Sequence, residues 1–246
     1  MRKLFFIPFI FGFGIIFNSC NIGDVGNVST FPSWPAVVDY KIEMNGPVLC
    51  TLWGVVAAPS LIDCESGDCL YVHEFTIDYD NQPSTSYYTA TNIIKESVCQ
   101  SFLEESSSFE IGDYTLPLSA AGGYTSAFFN GKFFTAASCK DKKPQFRLVY
   151  NTEEPDERGV KNLYFLARPS SSTQETSDVT SLFAFDTSHL IYTQGRDTTI
   201  TVEGYEANAK YKYIKANLKY ISSITDGVPT YKTLIEPFEI YISNSY

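Results

Sequence analysis

The sequence predicts an all-β protein of two units behind an export leader, and three observations carry that expectation. Aromatic and β-branched residues recur in short runs with a period of two, the spacing of a half-buried pleated surface. Turn chemistry separates these runs, as in Asn45-Gly46, Asp80-Asn81-Gln82-Pro83-Ser84 and Asn130-Gly131. Many short strands divided in this way make a sandwich or a barrel. With 44% hydrophobic and 15% aromatic residues among 246, the chain can bury a proper core.

Val37 to Ile42 reads as a first strand, turned by Asn45-Gly46 into a second that runs from Val48 to Val56. Leu70 to Tyr79 alternates and places Tyr71, His73, Phe75, Ile77 and Tyr79 on one side, and Tyr87 to Ile94 returns. Ile94, Val98 and Phe102 share a helical spacing, so a short helix competes with strand there. The run Glu104-Glu105-Ser106-Ser107-Ser108 breaks the apolar pattern and divides a first domain, 35–106, from a second, 107–246. In the second, Phe128-Phe129-Asn130-Gly131-Lys132-Phe133-Phe134 has the form of a tight hairpin. Strands follow at Phe146–Tyr150, Leu163–Ala167, Thr199–Glu203 and Phe238–Ile242. Tyr211 to Ile221 is the longest alternating run, with Ile214, Ala216, Leu218 and Tyr220 on one face.

Residues 1–19 have the layout of a lipoprotein signal peptide. Arg2 and Lys3 precede an apolar run from Leu4 to Phe17, and Asn18-Ser19 leads to Cys20. The run is shorter than the roughly 20 residues that cross a bilayer. The expected mature chain begins at Cys20, which carries lipid, and residues 20–34 form a small, polar tether. Such a chain belongs to the cell envelope as an outer membrane lipoprotein, on either face.

Charge and composition narrow the function. A net charge of -10 suits neither phosphate backbones nor a basic hold on anionic lipid, so membrane attachment falls to Cys20 and nucleic acid is excluded as a partner. His73 and His189 belong to no spaced motif, and no Gly-x-Ser-x-Gly elbow, P-loop or His-Glu-x-x-His occurs. No catalytic residue, metal or cofactor is predicted. Cys50, Cys64, Cys69 and Cys99 are candidates for one or two disulfides in an oxidising compartment; those or free buried thiols fit their spacing better than zinc. Asp63, Glu65 and Asp68, and Asp78, Asp80 and Asn81, offer oxygens for calcium but match no EF-hand, and they read as solvated turn acids. The Glu153–Glu157 run likewise reads as a solvated loop.

Phe146-Arg147-Leu148-Val149-Tyr150-Asn151 is followed by Leu163-Tyr164-Phe165-Leu166-Ala167-Arg168-Pro169 and then by Leu182-Phe183-Ala184-Phe185-Asp186-Thr187-Ser188-His189-Leu190. With the leader, this order resembles the NigD-like lipoproteins of Bacteroidetes: a strand ending in Asn, a strand ending near Arg, then a Phe-Asp-x-Ser-x-Leu element. Where that family has a His-Asn pair after the Arg, this chain has Pro169-Ser170. The resemblance implies an OB-like β-barrel followed by an immunoglobulin-like β-sandwich, and a location, but no mechanism.

Trp34, Trp53, Tyr71, Tyr79, Tyr87 and Tyr88 offer rings for stacking on sugars; Trp53, inside an apolar run, reads as core, and Trp34, Tyr87 and Tyr88 are the candidates carried forward. Asp197-Thr198-Thr199 has the form of a short Asp-Thr acceptor motif for O-glycosylation at Thr198. The function that fits these features is a lipid-anchored, non-enzymatic envelope protein that binds another envelope component. The alternative is a glycan-binding accessory lipoprotein for polysaccharide capture.

Overall fold

The structure, a computed structural model, describes residues 28–84, 86–156, 158–170, 177–201, 208–234 and 236–243. The leader and Cys20 lie outside them. Two sheets account for the described strands. The first holds β1 (Val28–Lys41), β2 (Gly46–Thr51), β3 (Gly54–Ala57), β4 (Cys69–Asp78) and β5 (Ala90–Ser97), in the order β3-β2-β1-β4-β5 with every pair antiparallel. Its two outer strands meet where Ala57 bridges Thr89 in parallel and the Ala57 amide donates to the Tyr88 carbonyl at 2.9 Å. The sheet therefore curls into a small five-stranded barrel of the OB kind. Register shifts at Phe31/Ser33 and Ser33/Pro35 bend β1 enough to serve both neighbours. Leu49, Leu61, Leu70, Val72, Phe75 and Ile77 fill the interior, with Leu61 supplied by the 3-10 turn Pro59–Leu61 between β3 and β4.

Three details depart from the sequence reading. The stretch read as a tether is strand from Val28 onward, because Val28 to Phe31 pair with Asp78 to Phe75. Val48–Val56 is not one strand: it folds back at Leu52-Trp53 into β2 and β3, with Gly54 at φ 140. The alternation of β4 also changes phase. Leu70 and Val72 face inward, a bulge intervenes at His73-Glu74, and Phe75 and Ile77 face inward after it. One extra residue in a strand moves every following side chain to the opposite face.

The second sheet holds β6 (Cys99–Ser106), β7 (Ala120–Tyr124), β8 (Lys132–Cys139), β9 (Gln145–Asn151), β10 (Val160–Arg168), β11 (Val179–Asp186), β12 (Arg196–Thr201), β13 (Asn208–Thr225), β14 (Val228–Thr233) and β15 (Phe238–Ser243). A single helix of the described residues, α1 (Ser188–Gln194), follows β11. Hydrogen bonding runs β12-β13-β10-β9-β6-β11-β8-β7, with β14 and β15 also on β13. β6 is where this sheet folds over. Its first half, Cys99–Phe102, lies parallel to β11, and its second half, Leu103–Ser106, lies parallel to β9. The result is a sandwich whose layers, β7-β8-β11 and β9-β10-β13, close on Leu118, Phe133, Leu148, Leu163, Phe165, Phe185 and Leu218. The inward face of β13 is the one expected: Ile214, Ala216, Leu218 and Tyr220.

The all-β reading, barrel then sandwich, is what the structure shows. The helical spacing at 94–102 is not a helix; β5 ends and β6 begins across a buried Val98, so the chain changes sheet there rather than in the serine run after Glu105. Phe128 and Phe129 are not strand either. They end the 3-10 turn Ala127–Phe129, after which Asn130 and Gly131 take φ 48 and 81 and start β8. A further core joins the lobes, with Val37, Val48, Cys50 and Cys69 of the barrel packed with Val98 and with Phe129, Phe134 and Ala184 of the sandwich.

Candidate functional site

The barrel carries a strip of exposed aromatic rings on its outer surface. The Thr51 hydroxyl donates to the Gly54 carbonyl at 3.0 Å and accepts from the Trp53 amide at 3.1 Å, which pins the β2–β3 tip. The tip presents Trp53 at 66% exposure, and its indole Nε1 donates to the Pro32 carbonyl at 3.1 Å. That bond lays the ring against the β1 segment that also carries Trp34, itself 43% exposed. Trp34 stacks on Tyr71 of β4 with ring centres 6.4 Å apart and planes at 29°; His73 then meets Tyr71 edge-on at 4.7 Å. His73 Nε2 lies 3.8 Å from the Glu96 carboxylate of β5. Tyr71, like Tyr124 and Phe128 of the sandwich, packs against the core at the junction of the lobes, so the strip runs from the hairpin tip toward the sandwich. Flat apolar faces with polar edges, held by backbone bonds, are the surface that stacks on a planar or ring-shaped ligand at little entropic cost.

The structure separates the residues grouped from the sequence. Trp34, Trp53 and Tyr71 belong to this strip, but Tyr79, Tyr87 and Tyr88 do not. Tyr88 packs edge-on against Tyr79 at 5.2 Å beyond the far end of β4, where its carbonyl closes the barrel. At about 3.3 Å of rise per residue that end is roughly 20–25 Å from Tyr71. Trp53, read as core, is the most exposed ring of the strip. The clue was the Gly54 after it, which favours the turn that throws the indole outward.

Cys50, Cys64, Cys69, Cys99 and Cys139 are all free thiols, so no expected bridge forms among the first four. Cys50 and Cys69 both pair with Val37 across opposite edges of β1. Two strand spacings set their Cα atoms about 10 Å apart, beyond the roughly 7 Å a disulfide spans. Burial pushes both thiols up to about 12, which keeps them protonated and unreactive. Cys64 accepts a bond from Lys95 Nζ at 3.2 Å. Thr198 sits half-buried within β12, paired with Tyr211. Cys20 lies outside the described residues.

The acidic clusters close on themselves. Asp78 accepts from the Asp80 and Asn81 amides and from the Asn81 side chain, and Asp68 accepts from the Glu65 amide. Among the described residues no three His, Cys, Asp or Glu side chains gather as a metal site. The Glu153–Glu157 run is only partly solvated. Glu154 accepts from Asn162 Nδ2 at 2.7 Å, the Tyr164 hydroxyl at 2.7 Å and Lys219 Nζ at 3.1 Å. Burial works to raise its carboxyl, but these bonds outweigh it and hold the group below the usual range.

No family model and no curated protein matches the sequence. Solved structures do match. An uncharacterized protein from Parabacteroides merdae superposes over 88% of this chain and 100% of its own, with TM-score 0.62 and 16% identity. A Bacteroides fragilis protein described provisionally as a lipoprotein covers 89% of this chain and 98% of its own, with TM-score 0.53 and 12% identity. The shared feature is the fold. A NigD-like immunity protein from Bacteroides caccae also appears among the matches, at TM-score 0.47 and 12% identity over 85% of this chain and 94% of its own.

Proposed function

We propose that this chain is a lipid-anchored, non-enzymatic protein of the cell envelope that binds another envelope component through the outer face of its barrel. The observation that carries the reading is the Trp53–Trp34–Tyr71–His73 strip, rings from β1, β4 and the β2–β3 tip, in which Trp53, Trp34 and His73 are exposed and Tyr71 is half-buried. Cys20 at the end of the leader, and the lipoprotein description of a structural neighbour, support the anchor. The strip also favours the second reading, a glycan-binding accessory lipoprotein, because stacked rings suit the apolar faces of sugars.

Two experiments test this. A photo-crosslinking amino acid at position 53, in cells carrying the protein, is expected to give a discrete adduct that the same probe at position 42 does not; Ile42 is 98% exposed and follows the C-terminal end of β1, the strand that carries Trp34 near its middle. Adducts equal at both positions would remove the barrel face from consideration. A protein adduct supports the leading reading, and saturable binding to a glycan panel that weakens in Trp53→Ala supports the second. Separately, Cys20→Ser is expected to move the protein from the membrane to the soluble fraction; retention would place the anchor elsewhere.

A further inference from the structure

The sandwich contains a basic cleft that the sequence did not reveal. Residues 215 and 216 of β13 pair with both β10 and β15, and residues 211 to 213 pair with both β12 and β15. β10 and β12 therefore lie end to end along the same edge of β13. Their registers stop at Val160↔Lys215 and Arg196↔Tyr213, which leaves Ile214 in a gap between two strand ends. The gap opens as a small, shallow cleft of about 50 Å³, and its walls include Arg158, Lys161, Gln194, Arg196, Tyr213 and Lys215. Four cations converge there in a chain whose net charge is -10.

Only one of the four is neutralised. Lys161 Nζ is buried, 2.8 Å from Asp156 Oδ2, 2.5 Å from Gln194 Oε1 and 3.2 Å from the Tyr150 hydroxyl. Arg158, Arg196 and Lys215 form no ion pair with any described residue. Arg158 and Gly159 are both left-handed, at φ 55 and 76, and a side chain at 159 would fall on the Arg196 guanidinium. The backbone is thus bent, at a position that strains Arg158, in a way that makes room for a second arginine. Like charges that line one opening repel one another, and an anion placed among them relieves that repulsion.

We infer that this cleft is a binding site for a sulfate or phosphate group. Two guanidinium forks and a lysine at one opening match the several oxygens of a tetrahedral oxyanion, which accepts charge-assisted bonds from more than one side. The site lies on the sandwich and is independent of the aromatic strip.

Titration calorimetry of the purified protein with sodium phosphate and sodium sulfate, at fixed ionic strength with chloride as reference, tests it. The expected result is saturable binding, weakened about tenfold or more by Arg196→Gln through loss of a charge-assisted bond. Lys210→Gln removes the same charge from β13 outside the cleft and is expected to leave binding unchanged. If Arg196→Gln loses its native circular dichroism, Lys215→Gln, at an exposed position, takes its place. No binding beyond chloride, or equal weakening by Lys210→Gln, overturns the site. Tighter binding of glycerol 3-phosphate or glucose 6-sulfate than of the free ions assigns the site to an esterified group, and the reverse assigns it to the free ion.

Discussion

Individual carboxylates make this protein acid-sensitive. Glu154 and Asp186 both titrate below their ordinary values of 4.5 and 3.8 in the fold. For Asp186, burial raises the carboxyl, but bonds from Lys132 Nζ at 2.9 Å and from Ser188 outweigh it. A depressed folded value means the unfolded chain binds protons first on acidification. The stabilisation is complete above the ordinary carboxylate range and is lost as pH falls through the folded values. The urea midpoint is therefore expected to hold from pH 7 to about pH 5 and then decline toward pH 3. Glu154→Gln is expected to flatten that decline; an unchanged slope would place the sensitivity elsewhere. At the same scale, the strip depends on Thr51, whose hydroxyl pins the backbone of the β2–β3 tip that carries Trp53, and on the Pro32 carbonyl, which accepts from the indole.

At the level of elements, turns decide more than strands do. Gly131 has φ 81, its amide donates to the Tyr241 carbonyl, and its carbonyl accepts from both the amide and hydroxyl of Thr187. A Cβ there would sit 2.7 Å from Ser188 Oγ and 3.3 Å from Ile242 Cδ1. Gly131→Ala is expected to cost about 2 kcal/mol in denaturant unfolding, from strain and displaced packing. The Asn130-Gly131 turn was legible in the sequence, as were Asn45-Gly46, β9, β10 and the inward face of β13, because each is a local pattern of type or period. What local pattern could not show was phase and partnership. The bulge at His73-Glu74 reverses the faces of β4 with no mark in composition. Ile94, Val98 and Phe102 mimic a helix because two strands meeting at a buried valine produce the same spacing. Trp34, Trp53 and Tyr71 come together only through strand pairing, and the four cations of the cleft only through two strands meeting end to end.

The whole molecule is two lobes, each with its own core, joined by a further one. Phe129 and Phe134, both fully buried with ring centres 5.0 Å apart, stand between the barrel's Val37, Val48 and Cys50 and the sandwich. Phe129→Ala is expected to cost roughly 3–5 kcal/mol. It is also expected to divide a single thermal transition into two, because the contact removed is the one that makes the lobes melt together; calorimetry reads both effects, and a single sharp transition in the variant would show that the lobes are coupled by other means. β6 has a consequence for the order in which the molecule can be built. Every strand of the barrel is complete by Ser97, so a chain delivered from its N-terminus can close the barrel early. β6 comes next, yet its neighbours β9 and β11 begin only at Gln145 and Val179. Until β9 is made both its edges are bare, and one stays bare until β11 follows, the condition under which strands pair with the wrong chain. The hazard of misassembly is thus concentrated in eight residues near the middle of the sequence, and it ends only when β11 arrives.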